Sequence, residues 1–347
     1  MSREKLRALG LDLPPLPTST VGSFPKPRYL TEARARAARN AIGRHELDRL
    51  ERQATEFWVR VQEDLGVDVL VDGEQYRGDM VAYFAESLGG FARGGLVRSY
   101  GNRYYHKPVI VGEVRWPGPM TVDWWRWTQS LTDRPVKGML TGPYTMMDWS
   151  FDDYYPSRKA ACLALACELR HELTALLEAG VKIVQIDEPA LSVRPAELPF
   201  AIEALHVMVD GLPAYYVSHA CFGAFEAIYP GLLDLPVDNF DLAISHSALD
   251  LLGMFGTAPF TKDLSLGVLD VHSHVVETPD QVTPRIQRGL DVLSAERIWV
   301  DPDCGLKTRT VDETRHKLEA MMTAVRKARA TAGAAPRPAE YAPALPA

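Results

Sequence analysis

The stretch KIVQIDEPALSVRPAELPFAIEALHVMVDGLPAYYVSHA (182–220) decides the fold. It opens on an apolar, β-branched run, KIVQIDE (182–188), and closes on another, AYYVSHA (214–220). The residues between them are enough for a helical crossover, and strand, crossover and strand make the repeating unit of a parallel sheet. Both runs finish on residues with chemistry to offer. Asp187 and Glu188 end the first, and His219 ends the second with Cys221 two places on.

Working outward, the same kind of run recurs. TSTVGSF (18–24), VDVLVDGE (67–74) and VKGMLTG (136–142) precede the deciding stretch. FDLAISH (240–246), SLGVLDVH (265–272) and RIWVDPD (297–303) follow it, for eight runs in all. Helical patterns alternate with them. Over 45–65, Leu47, Leu50, Ala54, Phe57, Val61 and Leu65 recur every three or four positions, and over 311–330 Val311, Leu318, Met321, Met322 and Val325 do the same. Eight strands alternating with helices predict an α/β fold, a single TIM-type (β/α)8 barrel. Residues 18–331 are assigned to it, residues 1–17 to an N-terminal extension, and 332–347, rich in Pro and Ala, to a disordered tail. A long insertion follows the second strand, over about 84–135, with aromatic SYGNRYYHKP and WWRW inside it. It reads equally as an extra helix and loop covering one end, or as a lid or platform for a flat ligand.

Composition narrows the function. With 38 Lys and Arg against 45 Asp and Glu, the net charge is -7, and no basic stripe stands out to attract nucleic acid or an acidic membrane. The N-terminus carries charges where a signal peptide needs an apolar run, and no stretch approaches a membrane span. A cytoplasmic location is expected. Four cysteines, Cys162, Cys167, Cys221 and Cys304, are too few for a disulfide framework at this length. Cys162 and Cys167 lie in an Ala/Leu-rich helical run and read as core packing.

The chemistry gathers where the runs end: Ser23, Glu74, Asp187, His219, His246, His272 and Asp303. Active sites of β/α barrels sit at these C-terminal strand ends. Residues two apart on an extended strand point the same way, so His219 and Cys221 can converge on one ion, and Cys304 can join them from a later strand. Two thiolates and an imidazole favour zinc over magnesium or calcium. The plainer alternative is a satisfied histidine beside a buried thiol. Asp187 and Glu188 offer carboxylates for an ammonium group or, more plainly, a helix cap. His272-Ser273-His274 has the form of a hydrolase HxH metal pair but follows the seventh run rather than the first. A metal-dependent hydrolase using His272, His274, His219 and His246, and a non-catalytic amino-acid-binding protein, are therefore the alternatives from other classes.

Several segments in order carry a more specific resemblance. They are TSTVGSFPKP, VLVDGEQYRGDMVAYFAESLGG, SYGNRYYHKPVIVGEV, KGMLTGPYTMMDWSF, IVQIDEPAL, SHACF, GVLDVHS and WVDPDCGLKTR. From about residue 18 to 330 the chain resembles the C-terminal catalytic domain of cobalamin-independent methionine synthase. The resemblance implies a TIM barrel with a catalytic zinc that methylates homocysteine to methionine. It places His219, Cys221 and Cys304 as zinc ligands, and Val21, Gly22 and Ser23 against the amino acid's carboxylate. Glu74 and Asp187 match the acidic residues on its ammonium group. Trp149 matches the aromatic residue packed on the donor's pterin, Ser99 and Tyr100 belong to the same donor surface, and His272 matches a histidine that helps proton movement.

Two departures stand out. The family's fourth zinc ligand is a glutamate, and by eye its position falls at His246, which either replaces it or lies beside a zinc with three protein ligands. An imidazole there makes the site one unit more positive. The family's additional N-terminal half has no counterpart in these residues. The donor is therefore read as 5-methyltetrahydrofolate on the strength of SYGNR and MMDWSF, with methylcobalamin or a corrinoid protein as the alternative and an accessory protein left open.

Overall fold

The computed structural model describes residues 2–99, 103–220, 225–245 and 251–332. From the N-terminus come α1 (Ser2–Ala8), α2 (Arg28–Ala37), α3 (Arg44–Leu65), α4 (Met80–Ser87), the long strands β1 (Gly89–Ser99) and β2 (Arg103–Arg115), and α5 (Val122–Gln129). The middle of the chain runs β3 (Gly138–Thr141), α6 (Pro143–Asp148), β4 (Phe151–Asp152), α7 (Arg158–Ala179), β5 (Ile183–Asp187), α8 (Leu198–Val209), β6 (Tyr215–Ala220) and α9 (Phe225–Ile228). The remainder is β7 (Asn239–Ala243), α10 (Leu251–Thr257), β8 (Asp263–Gly267), α11 (Pro279–Leu290), β9 (Ile298–Asp301) and α12 (Val311–Ala332). Strand and helix alternate as the deciding stretch requires, which makes this an α/β fold with parallel strands.

The chain divides into two compact units. The first comprises Met1–Tyr76, Trp127–Lys137 and Asn239–Ala347. Here β7, β8 and β9 run parallel in order. Thr18 bridges Val300 beside β9, the Val69 amide donates to Thr18 at 3.0 Å, and Leu70 bridges Val136. The runs at 18–24 and 67–74 thus contribute one bridge each instead of a full strand. Part of the reason is local. Pro17 has no amide to give a ladder, and the Thr18 amide and hydroxyl bind the Asp68 carboxylate at 2.8 and 2.7 Å. At the other run the chain leaves extended geometry at Gly73 and Glu74, both at positive φ. Outside the strands, α3 turns Leu47, Ala54, Trp58, Val59 and Val61 inward, and the leucine and the two valines each contribute about 1.5–3 kcal/mol when buried. Gly66 closes α3 in the left-handed conformation that terminates helices.

The second unit comprises Arg77–Arg126 and Gly138–Asp238. Its strands β3, β5 and β6 are parallel and buried along their whole length, which is why they read as unbroken apolar runs. The insertion is more than a helix and a loop. After α4 it forms an antiparallel hairpin, β1 with β2, to which β4 adds in parallel. Register shifts interrupt the hairpin at Gly89/Phe91 and Arg93/Leu96, where the bare Gly90 and Gly94 let the partner backbone approach closely. Behind it the buried Glu172 accepts hydrogen bonds from Trp116 Nε1, the Met120 and Thr121 amides and the Thr121 hydroxyl, at 2.7–2.8 Å. On α7, Cys162 is buried as expected, whereas Cys167 is exposed, because five positions along a helix turn it to the other face. Among the described residues no helix is long and apolar enough to cross a membrane.

Candidate active site

In the first unit the segments VGSFPK (21–26) and CGLK (304–307) lie against each other. The Leu306 amide donates to the Ser23 carbonyl at 2.7 Å, and a Cβ on Gly305 would collide with the Ser23 hydroxyl. Only glycine permits that approach. Val21 and Gly22 are buried, while Ser23 and Cys304 are half-buried. Glu74 is 9 % exposed and sits at φ 53°, a left-handed conformation costly for a residue with a side chain. The fold holds it there through two bonds: its amide donates to Asp72 Oδ1 at 2.8 Å, and Lys26 Nζ donates to its carbonyl at 3.3 Å. Strain of this kind concentrates at functional positions. Burial pulls the Lys26 ammonium down to about 8, with the neighbouring cations Arg34 and Lys307 acting in the same direction.

Asp303 fixes the cysteine's own segment. It accepts from the Ile244 and Ser245 amides at 3.1 and 3.0 Å and from the Ser245 hydroxyl, and burial raises its carboxyl to about 6. It therefore anchors the residue before Cys304 to the segment that leads into His246. His272 is exposed, its amide bound to Asp270 Oδ1 at 2.8 Å. His274 is exposed too and pairs with Glu313 at 2.8 Å, which leaves the HxH motif on a surface loop.

In the second unit, Asp187 and His219 are register partners at the ends of β5 and β6, 7 % and 3 % exposed. Gln185 Nε2 donates to Asp187 Oδ1 at 2.6 Å, so one carboxylate oxygen is already oriented. The neighbouring Glu188 has a separate task. Its amide donates to the His219 carbonyl at 2.9 Å, and its carboxylate accepts from the Tyr144 amide at 3.0 Å and from the Thr145 amide and hydroxyl at 2.7 and 2.6 Å. Burial raises its carboxyl to about 7, and those bonds oppose the rise. The helix-cap alternative thus holds for Glu188, but the helix it caps is α6, which precedes it in the chain. Trp149 ends that helix, half-buried. The outer side of α6 is held by Arg158, bonded to Asp148 and Glu197, and by the Tyr144 hydroxyl on Glu197 at 2.8 Å.

Ser99 ends β1, while Tyr100, Cys221 and His246 lie outside the described residues. Among the described residues no group of three or more His, Cys, Asp and Glu side chains is arranged to hold a metal ion. Two of the four expected ligands, His219 and Cys304, are described, one in each unit, and imidazole and thiolate are each donor types that suit zinc. Sequence reasoning missed Lys26 and the tethering of Asp303. A lone lysine between prolines has no signature, and a tether depends on a partner far away in the chain.

Comparison with known proteins bears on the same residues. The family model for the cobalamin-independent synthase catalytic domain matches residues 16–327. The 5-methyltetrahydropteroyltriglutamate–homocysteine methyltransferase of Chelativorans sp. (strain BNC1) is 41% identical over 340 residues, 94% of this chain and 44% of that protein. The protein of that name from Paraburkholderia xenovorans (strain LB400) is 42% identical over 342 residues, again 94% and 44%. The chain therefore spans less than half the length of these curated relatives. Among solved structures, a B12-independent methionine synthase from Shewanella sp. W3-18-1, in complex with selenomethionine, superposes with TM-score 0.83 at 27% identity, covering 92% of this chain and 99% of that one.

Proposed function

The chain belongs to the cobalamin-independent methionine synthase family, and from that premise we propose that it is a zinc-dependent methyltransferase that converts homocysteine to methionine. The donor is 5-methyltetrahydrofolate in its glutamylated form. The strands close as a (β/α)8 barrel with the long insertion after the second, a reading supported by the parallel order within each unit and by the similarity to the Shewanella structure. The observation that carries the functional reading is the pairing of Asp187 with His219 at adjacent strand ends, with Glu188 tying both to the helix that ends in Trp149. One structural block thus holds a carboxylate for an ammonium group, an imidazole for a metal and an aromatic ring for a pterin.

Zinc would be held by His219, Cys221 and Cys304, with His246 in the fourth place; it would lower the pKa of the homocysteine thiol, ordinarily about 8.5 for a thiol, and so keep a thiolate available at neutral pH. Val21, Gly22 and Ser23 hold the substrate's carboxylate, and Glu74 and Asp187 take its ammonium group. Ser99, Tyr100 and Trp149 form the donor's surface. Methyl leaves a tertiary amine well only when that nitrogen is protonated, so an acid must act there. His272, exposed and able to exchange protons with solvent, fills that role directly or through an ordered water. The corrinoid donor finds no support in the names of the relatives, which specify a methyltetrahydropteroyl donor.

The test is methionine formation by zinc-loaded protein from homocysteine, with methyltetrahydrofolate and methylcobalamin supplied separately. Product with the folate alone is expected. Product with methylcobalamin alone would replace the donor, and none with either would overturn the reading. His272→Asn should lower turnover and leave zinc content intact; unchanged turnover would remove His272 from the mechanism.

A further inference from the structure

Beside Ser23 stand two ammonium groups that no carboxylate approaches closely enough to form an ion pair among the described residues, although Glu74 and Glu51 attract the charge of Lys26. Lys26 follows Ser23 by three residues, and among the described residues its ammonium makes one hydrogen bond, to the Glu74 carbonyl at 3.3 Å. Lys307 follows Cys304 by three and repels the charge of Lys26, an effect smaller than the repulsion from Arg34 and the attraction of the Glu74 carboxylate. Among the described residues neither is in an ion pair. Their neighbour Arg34 differs in being ion-paired, to the buried Glu51 at 2.6 Å, a carboxylate it shares with Arg44 at 2.9 Å. Both lysines are half-buried, so solvent screens their mutual repulsion only in part. The segments that carry them are not free to separate, because the Leu306 amide is bonded to Ser23 and Gly305 packs directly on its hydroxyl. Holding two like charges together costs stability, and a fold that keeps them so gains when an anion arrives.

We propose that Lys26 and Lys307 form a carboxylate-binding subsite flanking Ser23, one that completes the substrate site of the homocysteine methyltransferase reading on which it rests. The lowered Lys26 ammonium fits this, since the charge of a bound carboxylate would offset both the penalty of burial and the repulsion. Two substrates of that reading carry carboxylates: the acceptor amino acid has one at its α-carbon, and the donor has several along its glutamate chain. Charge-assisted bonds from lysine suit either, the first as a close pair and the second as a looser, solvent-facing clamp.

Binding distinguishes the two, using full-length zinc-loaded protein and the variant Lys26→Gln/Lys307→Gln. One pair of probes is L-methionine and its carboxylate-free counterpart, 3-(methylthio)propylamine. The other is pteroyltriglutamate and pteroylmonoglutamate. Removing both charges should weaken one carboxylate-rich probe roughly tenfold or more while sparing its partner. Loss of L-methionine binding alone assigns the acceptor's carboxylate, and loss of the triglutamate preference alone assigns the donor chain. Restoration by Lys26→Arg/Lys307→Arg is expected in either case, because a role in folding alone would not follow charge in this way. If both ratios stay as in the unaltered protein, in a variant with an unchanged melting curve, there is no subsite. If the unaltered protein binds neither pair, the functional reading itself fails, and the subsite with it.

Discussion

Gly142→Ala should destabilise this protein strongly, although its backbone conformation says the opposite. Gly142 sits before α6 at φ -73° and ψ 160°, which any residue adopts. At such a position alanine ordinarily gains about 0.4–1 kcal/mol by restricting the unfolded chain. The environment reverses the sign. An alanine Cβ would lie 2.5 Å from Glu188 Cγ and closer still to its carboxylate. Glu188 is 1 % exposed and cannot retreat without releasing the Tyr144 amide, the Thr145 amide and the Thr145 hydroxyl. Each buried group left unsatisfied costs about 1–3 kcal/mol, so the net loss should be about 3–5 kcal/mol once the backbone gain is subtracted. Urea unfolding followed by tryptophan fluorescence reads it. The double-mutant cycle with Glu188→Ala isolates the collision: with the carboxylate gone, the added methyl has room, and coupling of at least ~2 kcal/mol is expected. A loss below about 1 kcal/mol in the unaltered background, or equal losses in both backgrounds, would refute the clamp on α6.

Other outcomes follow from the same structure. Glu172→Gln replaces a buried acceptor of four hydrogen bonds by a group that also donates, and should cost about 3–5 kcal/mol in urea unfolding; a cost below 1 would show the four donors satisfied otherwise. Lys26 has its ammonium lowered from 10.5 to about 8, so between those values the unfolded chain binds more protons than the folded one, and stability from this group rises with pH. Unfolding of the ligand-free protein and of Lys26→Gln, compared at pH 7.5 and 10, should show the unaltered protein gaining up to about 3 kcal/mol relative to the variant, and a relative loss would reverse the assignment. Cys304→Ser should lower bound zinc, measured by elemental analysis, together with methyl transfer; full zinc occupancy with full activity would remove Cys304 from the ligand set.

Much of this protein is legible in its sequence because it rests on local patterns. The apolar runs that became β3, β5, β6, β7, β8 and β9 needed only their β-branched composition, and α3 and α12 only their helical spacing. The family of the chain was legible too, since its motifs lie in contiguous segments that the match to residues 16–327 bears out. What needed the tertiary structure depends on partners distant in the chain. The runs at 18–24 and 67–74 alternate well enough for strands, yet side-chain bonds and left-handed residues reduce them to single bridges. The hairpin of β1 and β2 escaped notice because its glycines and register shifts erase the period-two pattern. Cys167 read as core because a composition does not say which face of a helix is buried. Asp187 and Glu188 are adjacent in sequence and similar in charge, yet one stands beside His219 and the other is consumed at the start of α6. Burial and hydrogen-bond partners separate the roles of two neighbouring carboxylates, and both are set by segments that meet only when the chain folds.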